Sequence, residues 1–256
     1  MKKVSLEELL EAGCHFGHQV RRWNPAMKNY VYGEREGIHI FDLVKTKDGL
    51  EQACEFLAKV AGENGVVLFV GTKRQAADIV KQKAIEAGAP YMTQRWMGGM
   101  LTNFEQMQKR IRHMKDMKMK RETGELKKYT KREQLLIDRE IARLEKFFAG
   151  VENMDRLPQA MFIVDTHYEE VALREAVRMH IPVVGMVDTN GDPKSVDYVI
   201  AGNDDAARAV ELIVTTVADA VIEGKQNAGK ALKKAEDVKA KAEAKAEAKI
   251  KAQEGK

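Results

Sequence analysis

Four short apolar runs constrain this chain more than any other feature. They are "VVLFVG" (66–71), "AMFIVD" (160–165), "PVVGMVD" (182–188) and "DYVIAG" (197–202). Continuous apolar segments of this kind, closing on glycine or aspartate, read as strands buried on both faces, as in parallel sheets. Helical periodicity lies between and after them. "TKDGLEQACEFLAKVAGENG" (46–65) sets Leu50, Ala53, Cys54, Leu57, Ala58 and Ala61 on one stripe, and "TKRQAADIVKQKAIEAG" (72–88) is a helix closing on Gly88. "HYEEVALREAVRMH" (167–180) and the long "DDAARAVELIVTTVADAVIEG" (204–224) complete the rhythm. Strands alternating with helices predict βαβ units, and so an α/β domain whose parallel sheet carries helices on both faces. "NYVYGEREGIHIFDL" (29–43) alternates around a charged, glycine-containing turn and reads as a hairpin or two short strands.

The rhythm is interrupted between residues 104 and 148. Phe104, Met107, Ile111 and Met114 are spaced three, four, three, and Ile137, Ile141, Leu144 and Phe148 four, three, four, with Gly124 near the middle. Two narrow heptad-like stripes predict an antiparallel coiled-coil hairpin. Thr130 followed by Glu133 predicts a capping box at the start of its second helix. The expected organisation is therefore a discontinuous α/β domain over 1–104 and 151–224, a hairpin insert over 105–150 and a Lys/Ala/Glu tail over 225–256. That tail has helix propensity but no apolar face, so it is expected to be mobile on its own.

Charge sharpens this division. The net formal charge of +4 splits into +2 for 1–104, +6 for 105–150, −9 for 151–224 and +5 for 225–256. Such asymmetry points to a polyanion on part of the surface. Hydrophobic residues make up 44% of the chain, enough for a sizeable core, but no apolar run approaches a bilayer span. The opening MKKVSLEELLEAG reads as an amphipathic helix, not a cleaved leader, which predicts a cytoplasmic location without membrane contact. Cys14 and Cys54 form no CxxC pair and are expected to be buried free thiols.

No catalytic constellation stands out. GxSxG is absent, and neither cysteine has a nucleophile's context. Gly71-Thr72-Lys73-Arg74 follows a strand and opens a helix, where α/β folds bind phosphate, yet it is neither a Walker A loop nor GxGxxG. It is either a plain turn with exposed cations or a contact to a nucleic-acid backbone. "QVRRWNPAMKNY" (19–30) and "RWMGGMLTNF" (95–104) join cations to tryptophan and polar residues, a combination suited to folded RNA. The candidate RNA contacts are Arg21, Arg22, Trp23, Asn24, Lys28, Lys73, Arg74, Arg95, Thr102, Asn103, Arg110 and Arg112. The glycines of the second stretch suit a tight, rigid corner better than a nucleotide cradle.

His15 and His18 are three apart and read most simply as packed or hydrogen-bonded histidines. Asp188, Asp204 and Asp205 end or follow two strands, so a parallel sheet sets them on its carboxyl edge. Asp204 is alternatively a plain N-cap. If the three converge they need a compensating cation, with Arg208 the nearest in sequence to Asp204 and Asp205, or a structural Zn²⁺ or Mg²⁺ shared with His18. No other cofactor and no small-molecule substrate is expected.

Seven blocks carry a resemblance: "AGCHFGHQ", "RRWNPAMKNYVYG", "LFVGTKRQA", "QRWMGGMLTNF", "LPQAMFIVD", "IPVVGMVDTNGDP" and "VIAGNDDAARA". In this order, over about residues 5–224, the chain resembles the bacterial small-subunit ribosomal protein S2 family. The resemblance implies a flavodoxin-like parallel sheet with an inserted coiled-coil hairpin, no catalysis, contact with 16S rRNA on the 30S subunit and help in recruiting the large ribosomal protein S1. Ala201 stands where the family often has proline, which loosens the turn before the carboxylates. Two other classes fit less of the chain. An enzyme using the sheet's cleft for a phosphorylated ligand lacks an acid–base pair, and a protein-only scaffold leaves the basic insert unused.

Overall fold

The computed structural model describes residues 4–229. The expectation of a mobile tail falls almost wholly outside the described residues; only 225–229 are described, as the end of the last helix. In chain order the elements are α1 (Leu6–Glu11), β1 (Phe16–Gln19), β2 (Val31–Arg35), β3 (Ile38–Phe41), α2 (Leu43–Gly62), β4 (Val67–Val70), α3 (Ala77–Glu86), β5 (Tyr91–Met92), α4 (Phe104–Glu122), α5 (Lys131–Phe148), β6 (Ala160–Val164), α6 (Glu170–Arg178), β7 (Val183–Val187), β8 (Tyr198–Ala201) and α7 (207–229).

The four apolar runs form β4, β6, β7 and β8 of one parallel sheet ordered β5-β4-β6-β7-β8. Every residue of β4, β6 and β7 is buried, as strands covered on both faces must be. Counted in chain order within the sheet, the arrangement is 2-1-3-4-5, the doubly wound order compatible with a flavodoxin-like fold. The strand order reverses between β4 and β6, and the crevice there is where such sheets bind ligands.

Strand alternation divides the core. Val67, Phe69, Phe162 and Met186 point to one face, covered by Leu50, Cys54 and Leu57 of α2, Val80 of α3 and Ile213 and Val217 of α7. Leu68, Val70, Met161, Ile163 and Val183 point to the other, covered by Ala172, Leu173 and Ala176 of α6 and by Trp96, Met100 and Leu101. Burying each large aliphatic side chain contributes about 1.5–3 kcal/mol, so these two layers dominate the fold's stability. Cys14 and Cys54 are buried free thiols, and burial raises both to about 12.

The hairpin expected at 29–43 is β2 and β3, turning through Glu36 (φ 54°) and Gly37 (φ 76°). Two positive φ values in succession match the twist of antiparallel strands. An unexpected strand, β1, pairs with the other edge of β3, giving a three-stranded antiparallel sheet ordered β1-β3-β2. The segment between β1 and β2 contains 3-10 turns over Val20–Arg22 and Pro25–Tyr30. Helix α2 begins at Leu43, three residues before the periodicity suggests, because Asp42 accepts from the amide of Val44. Helix α3 begins at Ala77, five residues late, because the amide of Thr72 is committed to Glu169 across the crevice.

Helices α4 and α5 interrupt the sheet. Arg121 pairs with Asp138 and Lys118 with Glu145, an order of partners that shows the two run antiparallel. Gly124 turns between them with φ 78°. The expected capping box is present: Thr130 accepts from Glu133, whose carboxylate accepts from the Thr130 amide. Met107, Ile111 and Ile141 are buried, while Leu144 is only partly covered. Substituting Ile141→Asp places a charge at a 2% exposed position and should destabilise the helix pair by about 3 kcal/mol. Limited proteolysis should show early cleavage within 105–150; unchanged melting and unchanged resistance would refute the packing.

Candidate functional site

Two polar centres organise the surface, and both engage residues the sequence singles out. The first lies along the carboxyl edge of the parallel sheet. Lys73 follows β4, Asp165 follows β6, Asp188 follows β7, and Asp204 and Asp205 follow β8. Lys73 Nζ reaches Asp165 Oδ2 at 3.1 Å, Asp204 Oδ1 at 2.7 Å and Asp205 Oδ1 at 2.6 Å. His18, from β1, meets Asp188 Oδ1 through Nδ1 at 2.9 Å and Asp205 Oδ2 through Nε2 at 3.5 Å. Gly17 lets β1 come this close, since a Cβ there would lie 2.6 Å from Thr189 Cγ2. The His18 amide donates to Thr189 Oγ1 at 2.9 Å, fixing the imidazole over Asp188.

The expected convergence of Asp188, Asp204 and Asp205 is therefore present, and the main compensating cation is Lys73. Arg208, the nearest cation in sequence, gives way to a lysine 131 residues before Asp204. Lys73 consequently loses its expected part as a phosphate contact: its side chain is 13% exposed and committed to three carboxylates. Burial would lower its pKa, but the bonds to Asp204 and Asp205 and the charge of Asp165 hold the ammonium protonated, above the ordinary lysine range. Asp205 is drawn below its usual value by the same ammonium. Burial, and then the charges of Asp188 and Asp165, push Asp204 up to about 8 while Lys73 pulls the other way. The Asp188 bond raises His18 against the effect of burial. Asp204 is not the helix N-cap: Asn203 Oδ1 accepts from the amides of Asp205 and Ala206 instead.

One nitrogen of His18 and one oxygen each of Asp188 and Asp204 lie within 4.8 Å of one another, and Asp204 Oδ2 is buried with no hydrogen-bond partner. An imidazole with two carboxylates is a donor set that could hold a divalent cation.

The second centre answers what "RWMGGMLTNF" does. Glu175 of α6 is 8% exposed and takes five hydrogen bonds from this stretch. Its Oε1 accepts from Trp96 Nε1 at 3.1 Å and the Gly99 amide at 2.7 Å. Its Oε2 accepts from the amides of Leu101 at 3.0 Å and Thr102 at 3.1 Å and from Thr102 Oγ1 at 3.1 Å. Gly99, at φ 88°, supplies the left-handed residue that aims these amides inward. The loop is an anion nest, and the anion is the protein's own carboxylate. Burial alone would raise Glu175, but the amides of Thr102, Gly99 and Leu101 and the Trp96 indole outweigh it and hold the carboxyl below its usual range.

The remaining expected RNA contacts divide by exposure. Arg21, Arg22, Lys28, Arg74, Arg95, Arg110 and Arg112 are exposed and have no acidic partner in a salt bridge among the described residues. Thr102 and Asn103 are exposed at the start of α4, with Thr102 already bonded to Glu175. Trp23 is half-buried and packs at a tilt on His39, ring centroids 4.9 Å apart. Asn24 caps the second 3-10 turn through its Oδ1, which accepts from the Ala26 amide.

Sequence reasoning missed Asp165, Glu169 and Glu175. Asp165 carries the same signal as Asp188, an aspartate ending an apolar run, and could have been found by that rule. Glu175 has no such signal, because one glutamate inside an amphipathic helix looks like any other.

The chain is a doubly wound α/β domain whose crevice is closed by internal ion pairs and whose exposed cations lie on loops and on the α4–α5 helix pair. The family model of ribosomal protein S2 matches residues 9–224. The chain belongs to that family, a structural component of the small ribosomal subunit. None of the helices among the described residues is long and apolar enough to cross a membrane.

Two substitutions test the centres. Glu175→Gln should cost about 1.5–3 kcal/mol, since charge-assisted bonds to buried amides are lost. The folded pKa lies below the unfolded value of about 4.3, so this contribution is complete above that pH and disappears as pH falls through the folded value. Thermal melts should accordingly show a wild-type loss of stability below about pH 4 that Glu175→Gln reduces. Lys73→Met removes the ammonium that Asp165, Asp204 and Asp205 share and should cost about 3–5 kcal/mol; a melt within 1 °C of wild type would show that Lys73 is not the compensating charge.

Proposed function

We propose that the chain binds 16S rRNA and anchors on it through Arg21, Arg22, Trp23, Asn24, Lys28, Arg74, Arg95, Thr102, Asn103, Arg110 and Arg112. The observation that carries this reading is the contrast between two kinds of cation. Lys73 is consumed by carboxylates, whereas the seven others are exposed and unpaired with acids among the described residues. Cations without acidic partners in three separate loops and on α4 suit the phosphates of a folded RNA, which spread over a surface. In this reading residues 1–104 and 151–224 form one domain, and α4 and α5 form a coiled-coil hairpin over 105–150 that carries the +6 charge to the RNA. The place of action is the cytoplasmic ribosome.

Recruitment of ribosomal protein S1 belongs to the same proposal. Leu10, Phe16 and Tyr32 are 54%, 47% and 82% exposed around the three-stranded sheet, an apolar surface beside the strand that carries His18. A structural Zn²⁺ or Mg²⁺ held by His18, Asp188 and Asp204, with Asp205 beside them, would stiffen that region. The buried, unpartnered Asp204 Oδ2 supports this assignment. Metal analysis of the full chain should find about one ion per chain, reduced by Asp204→Asn, and chelation should lower the melting temperature. A metal-free protein indifferent to chelators removes the site.

Binding should be strongly electrostatic. Log affinity for 16S rRNA should fall with log salt by roughly 0.7–0.9 per phosphate contact. Co-sedimentation with ribosomal subunits across a salt series measures it. A flat dependence contradicts the RNA reading and favours a scaffold that binds only proteins.

A further inference from the structure

Helix α5 turns one face to α4 and leaves the opposite face open. Ile141 and Phe148 are buried on the first face. At about 3.6 residues per turn, Arg132, Arg139 and Lys146 fall close to a single line on the opposite face, with Leu135 and Leu136 on either side of it. All five are exposed, the leucines 50% and 56%. Leucines scattered singly over a surface are ordinary. An adjacent pair set inside a row of cations asks for a partner.

The charges of α5 are sorted. Each of its four acids is engaged: Glu133 in the capping box, Asp138 with Arg121 at 3.1 Å, Glu140 with Arg143 at 2.7 Å and Glu145 with Lys118 at 2.8 Å. None of these acids stands on the line of Arg132, Arg139 and Lys146, and these cations have no salt-bridge partner among the described residues. The line is positive from end to end, which suits a polyanion. Successive cations are seven positions apart, about 10 Å along the axis, and the outermost two about 21 Å.

The build of this face narrows the polyanion. Single strands are held on aromatic platforms where bases stack. The face has none: Phe147 and Phe148 are partly and wholly buried, and Tyr129, ahead of the helix, has the Lys128 ammonium 5.5 Å from its ring centroid. A straight row of cations also matches phosphates already fixed in place, whereas a single strand would first have to be ordered. Double-stranded RNA offers fixed phosphates beside a wide, shallow minor groove lined with sugars. A second protein helix fits less well. Its seam would need apolar residues in successive turns, and the turns after Leu136 bring Arg139, Ala142, Arg143 and Lys146.

We propose that the outer face of α5 binds the minor-groove side of a double-stranded RNA segment, with Arg132, Arg139 and Lys146 on phosphates and Leu135 and Leu136 against the sugars. This inference rests on the RNA-binding reading. It adds the class of RNA that the helix pair takes and a set of contacts separate from Arg110 and Arg112 on α4.

The test uses the full chain and labelled nucleic acids in fluorescence anisotropy across a salt series: an RNA duplex of about 16 base pairs, each of its strands alone, and a DNA duplex of the same sequence. Duplex RNA should bind at least tenfold more tightly than either strand or the DNA. Arg132→Ala with Arg139→Ala should abolish that preference and lower the salt slope by roughly 0.9 per arginine. Leu135→Gln with Leu136→Gln should weaken duplex RNA at least threefold and leave the slope unchanged. Arg174→Ala with Arg178→Ala, at exposed positions of α6, removes the same formal charge and should keep the preference. All six positions are exposed, so each variant should fold, and thermal melts verify it. Equal affinity for duplex and single strands overturns the proposal. So does a preference that survives the α5 arginine pair, or one lost equally with the α6 pair. Leucine variants that bind like wild type overturn the minor-groove assignment. An α5 arginine pair that leaves every RNA affinity unchanged but no longer joins the 30S subunit assigns the face to a protein and overturns the proposal too. The RNA reading is judged separately, by salt-dependent binding of wild type to 16S rRNA.

Discussion

The carboxylate of Glu175 sits beneath the loop that leads out of the sheet domain, and the placement of α4 and α5 depends on it. Three backbone amides, an indole and a hydroxyl converge on its two oxygens. Glu175 stands on α6, whose Ala172, Leu173 and Ala176 are packed on the sheet, so the loop is tied to the domain's core. Such a tie is costly to break, because a buried carboxylate without its donors loses far more than one hydrogen bond. From this corner α4 starts at Phe104, and Met107, Ile111 and Met114 at its base join the same apolar cluster as the sheet's second face. The helix pair is thus continuous with the core at its root, and its direction is set by a polar centre and an apolar one together.

The crevice between β4 and β6 shows the opposite use of the fold. A doubly wound sheet offers this position to a ligand because strand ends diverge there. Here Lys73 and Asp165 face each other across it, with Asp204 and Asp205 closing from β8. The Thr72 amide, a natural phosphate donor, is given to Glu169 at 2.7 Å. Asp165 adopts φ 62° to make its turn, and its Oδ1 accepts from the Tyr168 amide. Positive charge that could meet RNA is displaced to Arg21, Arg22, Arg74, Arg95 and the insert, so the proposed interface lies on loops and a helix pair held by a closed scaffold.

Much of this was legible in the chain, for reasons that can be named. β4, β6, β7 and β8 showed themselves because total burial forces an uninterrupted apolar run. The capping box at Thr130 and Glu133 and the turn at Glu36-Gly37 are local, and local chemistry is visible in sequence. Strands β1 and β5 were not legible: β5 has two residues, and β1, Phe16–Gln19, has one large apolar residue and no apolar alternation. The carboxylate cluster was half legible. Its aspartates follow from strand ends, but Lys73 comes from the far side of the sheet, and no spacing rule links positions 73 and 204. Glu175 was wholly hidden, since its partners are amides of a loop more than 70 residues away.

In the proposed reading, one buried carboxylate fixes the angle at which two basic surfaces, the loops around Arg21 and Arg95 and the helix pair carrying Arg110 and Arg112, face a single RNA. Hydroxyl-radical footprinting of 16S rRNA tests it most directly, comparing wild type with Glu175→Gln at a temperature where both are folded. The account predicts two sets of protected nucleotides in wild type. The set that Arg110→Ala and Arg112→Ala erase should weaken in Glu175→Gln, while the set that Arg21→Ala and Arg22→Ala erase should persist. Identical protections in wild type and Glu175→Gln would contradict the account, as would a wild-type footprint that none of these arginine substitutions alters.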